Sequence, residues 1–339
     1  MSSRALLYCA GGGIGDSLVA SVVARALREK FDRVDALTLP GHRETLLRVP
    51  DLDGVLIDDG GDERVLAAAL RERGYDACVV TWATARTARV PQRAGIPIRV
   101  GQARRLYSFR FTHRVAVRSE LGDVTSHWSE ILLDYARALG CDAADRRYRF
   151  VPTPHDDEEA ERVVASVAGS AGFLLLNPCN AIASRRGLWP VEGWAALARA
   201  LHDRFGATIA VSGAPGDVAI VEAAIARARR DAGAPGGFVS VAGKVGIGAF
   251  GALARKARGF VGITTGSMHV AAAVGCPTVG VFPFQADYPD RWAPLGPKTA
   301  IVRPSYPCHR GDTKESCPDY ACVAALDVDR IVTATASLV

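Results

Sequence analysis

Short apolar runs alternating with helix-period segments, joined by glycine turns, occur twice along this chain and constrain its fold more than any other feature. Leu6–Ala10 is an apolar run, Gly11–Gly15 breaks it, and Asp16–Lys30 carries Leu18, Val22, Val23, Ala26 and Leu27 at helical spacing. That predicts strand, turn and helix. Further runs at Val34–Leu39, Val55–Ile57 and Ala77–Thr81 alternate with helical stretches such as Glu63–Arg73 and Thr125–Leu139. The second half repeats the pattern, with predicted strands at Phe173–Leu176, Thr208–Val211, Phe238–Val241, Phe260–Ile263 and Thr278–Phe282. Predicted helices at 191–205, 217–230, 247–257 and 267–274 lie between them. Alternation of this kind argues parallel sheets with helical crossovers, an α/β class.

At 339 residues the chain is about twice a usual domain of 100 to 200 residues. The polar passage Asp142–Asp157, with Pro152 and Pro154, predicts a linker. The expected organisation is a Rossmann-like doubly wound domain over 1–150 and a second over 151–339. The two are expected to face each other across a cleft at the carboxyl ends of their strands, where such sheets place ligands. Apolar residues make up 49% of the chain and charged ones 23%, which excludes a disordered chain. No stretch approaches the roughly 18 consecutive apolar residues of a spanning helix, and the chain reads as cytoplasmic.

The net charge of +5 matters less than its distribution. From Arg86 to Arg118 there are nine arginines and no Asp or Glu, a local field suited to an anionic partner or, alternatively, a solvated basic face. Five of the eight cysteines (Cys9, Cys78, Cys141, Cys179, Cys276) stand singly among apolar or small residues and read as buried. Cys308, His309, Cys317 and Cys322 crowd into fifteen residues without paired C-x-x-C spacing. They read as free thiols or a disulfide before a metal site.

The first glycine loop departs from the dinucleotide fingerprint, because Asp16 stands where G-x-G-x-x-G starting at Gly11 needs its third glycine. A carboxylate in a first helical turn is stabilised by the macrodipole and repels a pyrophosphate at that end. Asp16 therefore reads as a helix cap or as a general base for an acceptor hydroxyl. Thr264, Thr265, Gly266, Ser267 and His269 follow an apolar strand and open a helix, a geometry that suits a diphosphate. A second turn, Ser212–Asp217, places Asp217 where it could accept from ribose hydroxyls, and Asn180 lies just past the strand that opens the second half.

Four segments together resemble glycosyltransferase family 9, the ADP-heptose:lipopolysaccharide heptosyltransferases: Gly13–Asp16 (GIGD), Leu188–Trp194 (LWPVEGW), Thr265–Phe282 (TGSMHVAAAVGCPTVGVF) and the cysteine-bearing tail. The resemblance implies a GT-B fold and an inverting, metal-independent transfer in which Asp16 is the base. Thr265, Gly266 and His269 would bind the diphosphate of ADP-heptose, with no cofactor beyond that donor. It also implies an anionic saccharide or glycolipid acceptor in the first half, near Gly13, Gly15, Arg104, Arg105 and Arg110. Peripheral contact with the cytoplasmic face of the inner membrane follows from the same resemblance, and no nucleic acid is expected.

The sequence departs from the family pattern at Thr264, where an aspartate is usual, at Gly187, where a lysine is usual, at Val22, where a proline is usual, and at Gly311, where a second tail cysteine is usual. Arg185 or Arg186 would then supply the missing cation, since guanidinium suits bidentate phosphate contact. Another sugar nucleotide, an acceptor other than lipopolysaccharide, and a donor-binding protein without activity stay open as alternatives.

Overall fold

The computed structural model describes residues 2–167, 169–179, 189–232, 236–284, 288–306, 317 and 319–339. The chain divides into two compact units, Met1–Val151 and Pro152–Val339. The first holds strands β1 (Arg4–Tyr8), β2 (Arg33–Thr38), β3 (Gly54–Ile57), β4 (Ala77–Val80), β5 (Ile98–Gln102) and β6 (His113–Val115). They form one parallel sheet in the order β3-β2-β1-β4-β5-β6. The second unit holds β7 (Phe173–Asn177), β8 (Thr208–Val211), β9 (Phe238–Ser240), β10 (Phe260–Ile263), β11 (Thr278–Val281) and β12 (Thr299–Val302). Its parallel sheet runs β12-β11-β10-β7-β8-β9, the same winding seen from the other edge.

In both units the strand order reverses beside the first strand, so the switch points lie between β1 and β4 and between β7 and β10. Flanking crossovers part there and leave a crevice at the carboxyl ends. The central strands are shielded on both faces, and β4, β7, β10 and β11 are buried along their whole lengths. This is why they read as continuous apolar runs rather than alternating ones.

Two differences from the sequence expectation have physical causes. The end of the predicted linker is the first turn of a helix, Pro154–Val167. Thr153 Oγ1 accepts the Asp156 N–H at 3.2 Å while Asp156 Oδ2 accepts the Thr153 N–H at 2.7 Å, a capping box. Pro154 then occupies the first helical position, where a missing N–H costs nothing. The helix Ala85–Arg93, with Pro91 inside it, buries only the small face of Thr87, Ala88, Val90 and Pro91, and Thr84 caps it through the Thr87 N–H.

Candidate functional site

At the first switch point the chain leaves β1, turns left-handed at Gly12 (φ +66°) and enters the helix Ile14–Leu27. A Cβ on Gly12 would strike the Asp16 carboxylate, so glycine is required there by space as well as by backbone conformation. Asp16 is half-buried in the first helical turn, and its Oδ2 accepts the Gly13 N–H at 2.5 Å. Gly15 lies in the same turn. The capping role is therefore realised, and it fixes the carboxylate at the carboxyl end of β1.

Sequence reading missed His42, which ends a short turn after β2, Pro40–His42. Its Nδ1 stands 2.8 Å from Ser17 Oγ, and both residues are buried. Burial lowers the His42 pKa below the usual histidine range, and the Asp16 charge opposes that shift. The only signal for His42 was topological: β2 neighbours β1, so their carboxyl-end loops meet.

The arginine field of the first half is neutralised in part: four of the nine arginines, Arg86, Arg89, Arg105 and Arg118, meet carboxylates, and the other five meet none among the described residues. Arg86 forks onto Asp58, with Nη2 at 2.6 Å from Oδ1, and Arg89 reaches Glu63 at 2.6 Å. Arg118 meets Asp134 at 2.7 Å, and Arg105 pairs with Glu120. Arg99 donates to the carbonyls of Ile96, Pro97 and Arg110, while Arg110 donates to Gln92 Oε1 and stacks over the Phe109 ring at 4.7 Å. Arg93, Arg104 and Arg114 are exposed and show no ion pair among the described residues. Every carboxylate partner lies outside the 86–118 window. Of the three arginines expected to meet an acceptor, then, Arg105 is engaged with Glu120, Arg110 with Gln92, and Arg104 points to solvent.

At the second switch point β10 ends at Ile263, and Thr265 is the N-cap of the helix Gly266–Ala273 with an extended backbone (φ −136°, ψ 173°). Thr265 Oγ1 lies 2.7 Å from Ser267 Oγ and donates to the Ile263 carbonyl at 3.3 Å. Thr264, Thr265, Gly266 and Ser267 are half-buried, whereas His269, one turn in, is 4% exposed. Backbone amides and two hydroxyls thus gather at a helix N-terminus that opens on a strand end.

Across the switch point Asn177 ends β7 and pairs in register with Gly262. A Cβ on Gly262 would come within 3.0 Å of Asn177 Cβ and 2.7 Å of the Phe260 ring. Asn177 Nδ2 donates to Ser212 Oγ at 3.2 Å, and its Oδ1 accepts the Cys179 N–H at 3.1 Å. Asn177 thus holds Cys179 just past the end of β7, and it was not singled out from sequence because it reads as the end of an apolar run. Asp217 caps the turn Pro215–Asp217 by accepting the Ala214 N–H at 2.9 Å. Asn180, Arg185 and Arg186 lie outside the described residues, as do Gly187 and Leu188.

The Trp-Pro segment packs the core. Trp189 and Trp194 meet edge to face at 4.9 Å between ring centroids, and Gly193 leaves the space that the Trp189 ring fills. In the tail, Cys322 is buried, and Cys317 Sγ accepts the Tyr320 N–H at 3.3 Å. Cys308 and His309 lie outside the described residues, and among those described no group of three His, Cys, Asp or Glu could hold a metal. Nor is any described helix long and apolar enough to cross a membrane.

Residues 64–319 match glycosyltransferase family 9 (heptosyltransferase). No curated protein sequence matches the chain. Among solved structures, the fold is similar to ADP-heptose lps heptosyltransferase II of E. coli, with a TM-score of 0.79 at 20% identity, covering 99% of this chain and 98% of that one. A family 9 glycosyltransferase from Veillonella parvula DSM 2008 gives 0.81 at 17% identity, covering 99% and 97%. The E. coli heptosyltransferase WaaC with ADP gives 0.71 at 16% identity, covering 99% and 100%. With two doubly wound units, a carboxylate at one switch point and a hydroxyl-lined helix end at the other, this chain belongs to glycosyltransferase family 9, the heptosyltransferase family, and is a glycosyltransferase of GT-B fold.

Proposed function

We propose that the chain transfers heptose from ADP-heptose to a saccharide of the lipopolysaccharide inner core or a related one, with inversion and without a metal. The second unit takes the donor and the first the acceptor. Asp16 accepts the proton of the attacking hydroxyl as its oxygen bonds to the anomeric carbon and the bond to the diphosphate oxygen breaks, releasing ADP. The charge that develops on the diphosphate meets the amides and hydroxyls of Thr265–Ser267, with His269 as a further donor and Arg185 or Arg186 as the cation. Asp217 and Asn180 are assigned to the nucleoside side. On this reading the enzyme works in the cytoplasm, at the inner face of the membrane that carries its acceptor.

The observation that carries the proposal is the placement of the family residues. Asp16 and Thr265–His269 stand at the carboxyl ends of the strands that flank the two switch points. Thermal unfolding with ADP, GDP, UDP, dTDP and NAD tests the donor, because a ligand specific to the native state raises stability by mass action. ADP is expected to stabilise the protein selectively. Selective stabilisation by UDP, GDP or dTDP would replace the sugar nucleotide, and silence across the panel would count against a donor site.

A further inference from the structure

The segment that carries Asp16 has little of its own to hold it in place. Four of the five residues from Gly11 to Gly15 are glycines, which give a chain its greatest conformational freedom, and Ile14 between them is only half-buried. The backbone bond that closes the first helical turn, from the Ser17 N–H to the Gly13 carbonyl, is long at 3.3 Å. A base that must meet an attacking hydroxyl needs a defined position, because a displacement of about 1 Å can cost about 10²-fold in rate.

A brace for this segment comes from the neighbouring strand. Ser17 follows Asp16 directly and is completely buried, and its Oγ shares a hydrogen bond of 2.8 Å with His42 Nδ1. His42 is fixed in turn, since its N–H donates to the Leu39 carbonyl at 3.0 Å and closes the turn Pro40–His42. That turn leaves β2 just past Thr38, whose Oγ1 donates to the Cys9 carbonyl at 3.0 Å, next to the end of β1. A bonded path thus runs from β1 through Thr38, His42 and Ser17 to the residue beside Asp16, bridging the glycine loop from its far side. The imidazole also feels the Asp16 charge, while Arg43 and Glu44, the charged residues beside it, pair with each other at 2.7 Å. Packing alone does not call for such a pair. Two apolar side chains of the same shape would fill a buried site at no net cost, whereas a hydrogen bond adds direction.

We infer that His42 is a positioning residue for Asp16: it holds Ser17 and, through Ser17, the glycine-flanked turn that aims the carboxylate at the attacking hydroxyl. The inference rests on the reading of Asp16 as the base. It adds to that reading a residue of the loop after β2 that acts through Ser17 rather than on a substrate.

The test compares heptose transfer from ADP-heptose to an inner-core saccharide by wild type, Ser17→Ala, His42→Leu, the double variant, His42→Asn and Asp16→Asn, with ADP stabilisation recorded on each. Loss of the brace is expected to lower kcat about tenfold in Ser17→Ala and in His42→Leu. KM for ADP-heptose and the ADP response should stay within about twofold of wild type, because the donor is assigned to the other unit. The double variant should be no slower than the slower single one, since both changes remove the same interaction. His42→Asn restores a group that can donate or accept near the place of Nδ1 and should return kcat to within about threefold of wild type. Wild-type kcat in His42→Leu would overturn the inference, as would losses that multiply in the double variant, or a His42→Asn as slow as His42→Leu. Ser17→Ala removes only a hydroxyl, so its kcat decides the question should His42→Leu fail to fold. Transfer by Asp16→Asn at the wild-type rate, or none by wild type, would instead strike the underlying reading.

Discussion

Asp16 Oδ2 takes the Gly13 N–H at 2.5 Å, so the proposed base is also the cap of its own helix. The two roles separate in one variant. From its third helical position asparagine keeps a side-chain oxygen able to accept the Gly13 N–H, and the lost charge near the helix N-terminus is worth roughly 0.3–1 kcal/mol. Asp16→Asn is therefore expected to unfold in urea within about 1 kcal/mol of wild type. A much larger loss would mean that Asp16 is chiefly structural.

His42 reports on the charge of Asp16. Burial depresses its pKa and the Asp16 carboxylate pulls it back up. Removing that carboxylate in Asp16→Asn should lower the His42 pKa further, which an NMR titration of the imidazole resonances reads directly. An unchanged titration would show that the carboxylate and the ring do not interact in solution.

Asp58 binds Arg86, Tyr8 OH and the Gly60 N–H below the first sheet's carboxyl edge. Burial pushes this carboxyl up, yet the bonds from Arg86 and Tyr8 outweigh it and hold the pKa below the usual range. Asp58→Asn would leave Arg86 unpaired, and removing one partner of a buried pair costs about 3 kcal/mol. The pH dependence has a definite sign. A depressed folded pKa gives stability that is present above the unfolded value of roughly 4 and lost as pH falls through the folded one. Asp123 and Asp145, each held down to about 2 by neighbouring hydrogen bonds, act in the same direction. The melting temperature of wild type should therefore fall between about pH 4 and 2, with a shallower fall in Asp58→Asn.

Gly262→Ala tests the second switch point. The new methyl would press on Asn177 and Phe260, and overpacking of a tight site costs about 1–3 kcal/mol. Because Asn177 holds Cys179 and Ser212 beside the second switch point, stabilisation by ADP is expected to shrink along with the melting temperature. Full retention of both would show that the strand pair yields without disturbing the loop.

The central strands were legible because burial on both faces writes them as apolar runs: Phe173–Leu176 and Phe260–Ile263 stand within a residue of β7 and β10. Of the edge strands, β3 and β9 were read from short apolar runs, whereas β6 and β12 were not. β6 consists of His113, Arg114 and Val115, none of them buried, and nothing in its pattern distinguishes it from a loop. The same limit applies to charge. Nothing within Arg86–Arg118 announces that Asp58, Glu63, Glu120 and Asp134 answer it, because the sheet order, not sequence proximity, brings them together. At the site, residues held by local backbone logic, such as Asp16 and Thr265, could be read from spacing. His42 and Asn177 depend on neighbours from other strands and could not.

The most direct measurement is heptose transfer from ADP-heptose to an inner-core saccharide acceptor by wild type and by Asp16→Asn, with ADP binding measured in parallel. If Asp16 takes the proton of the attacking hydroxyl, transfer falls by about 10²- to 10⁴-fold while ADP affinity stays within about twofold. Transfer by Asp16→Asn within about threefold of wild type, at unchanged ADP affinity, would contradict the account.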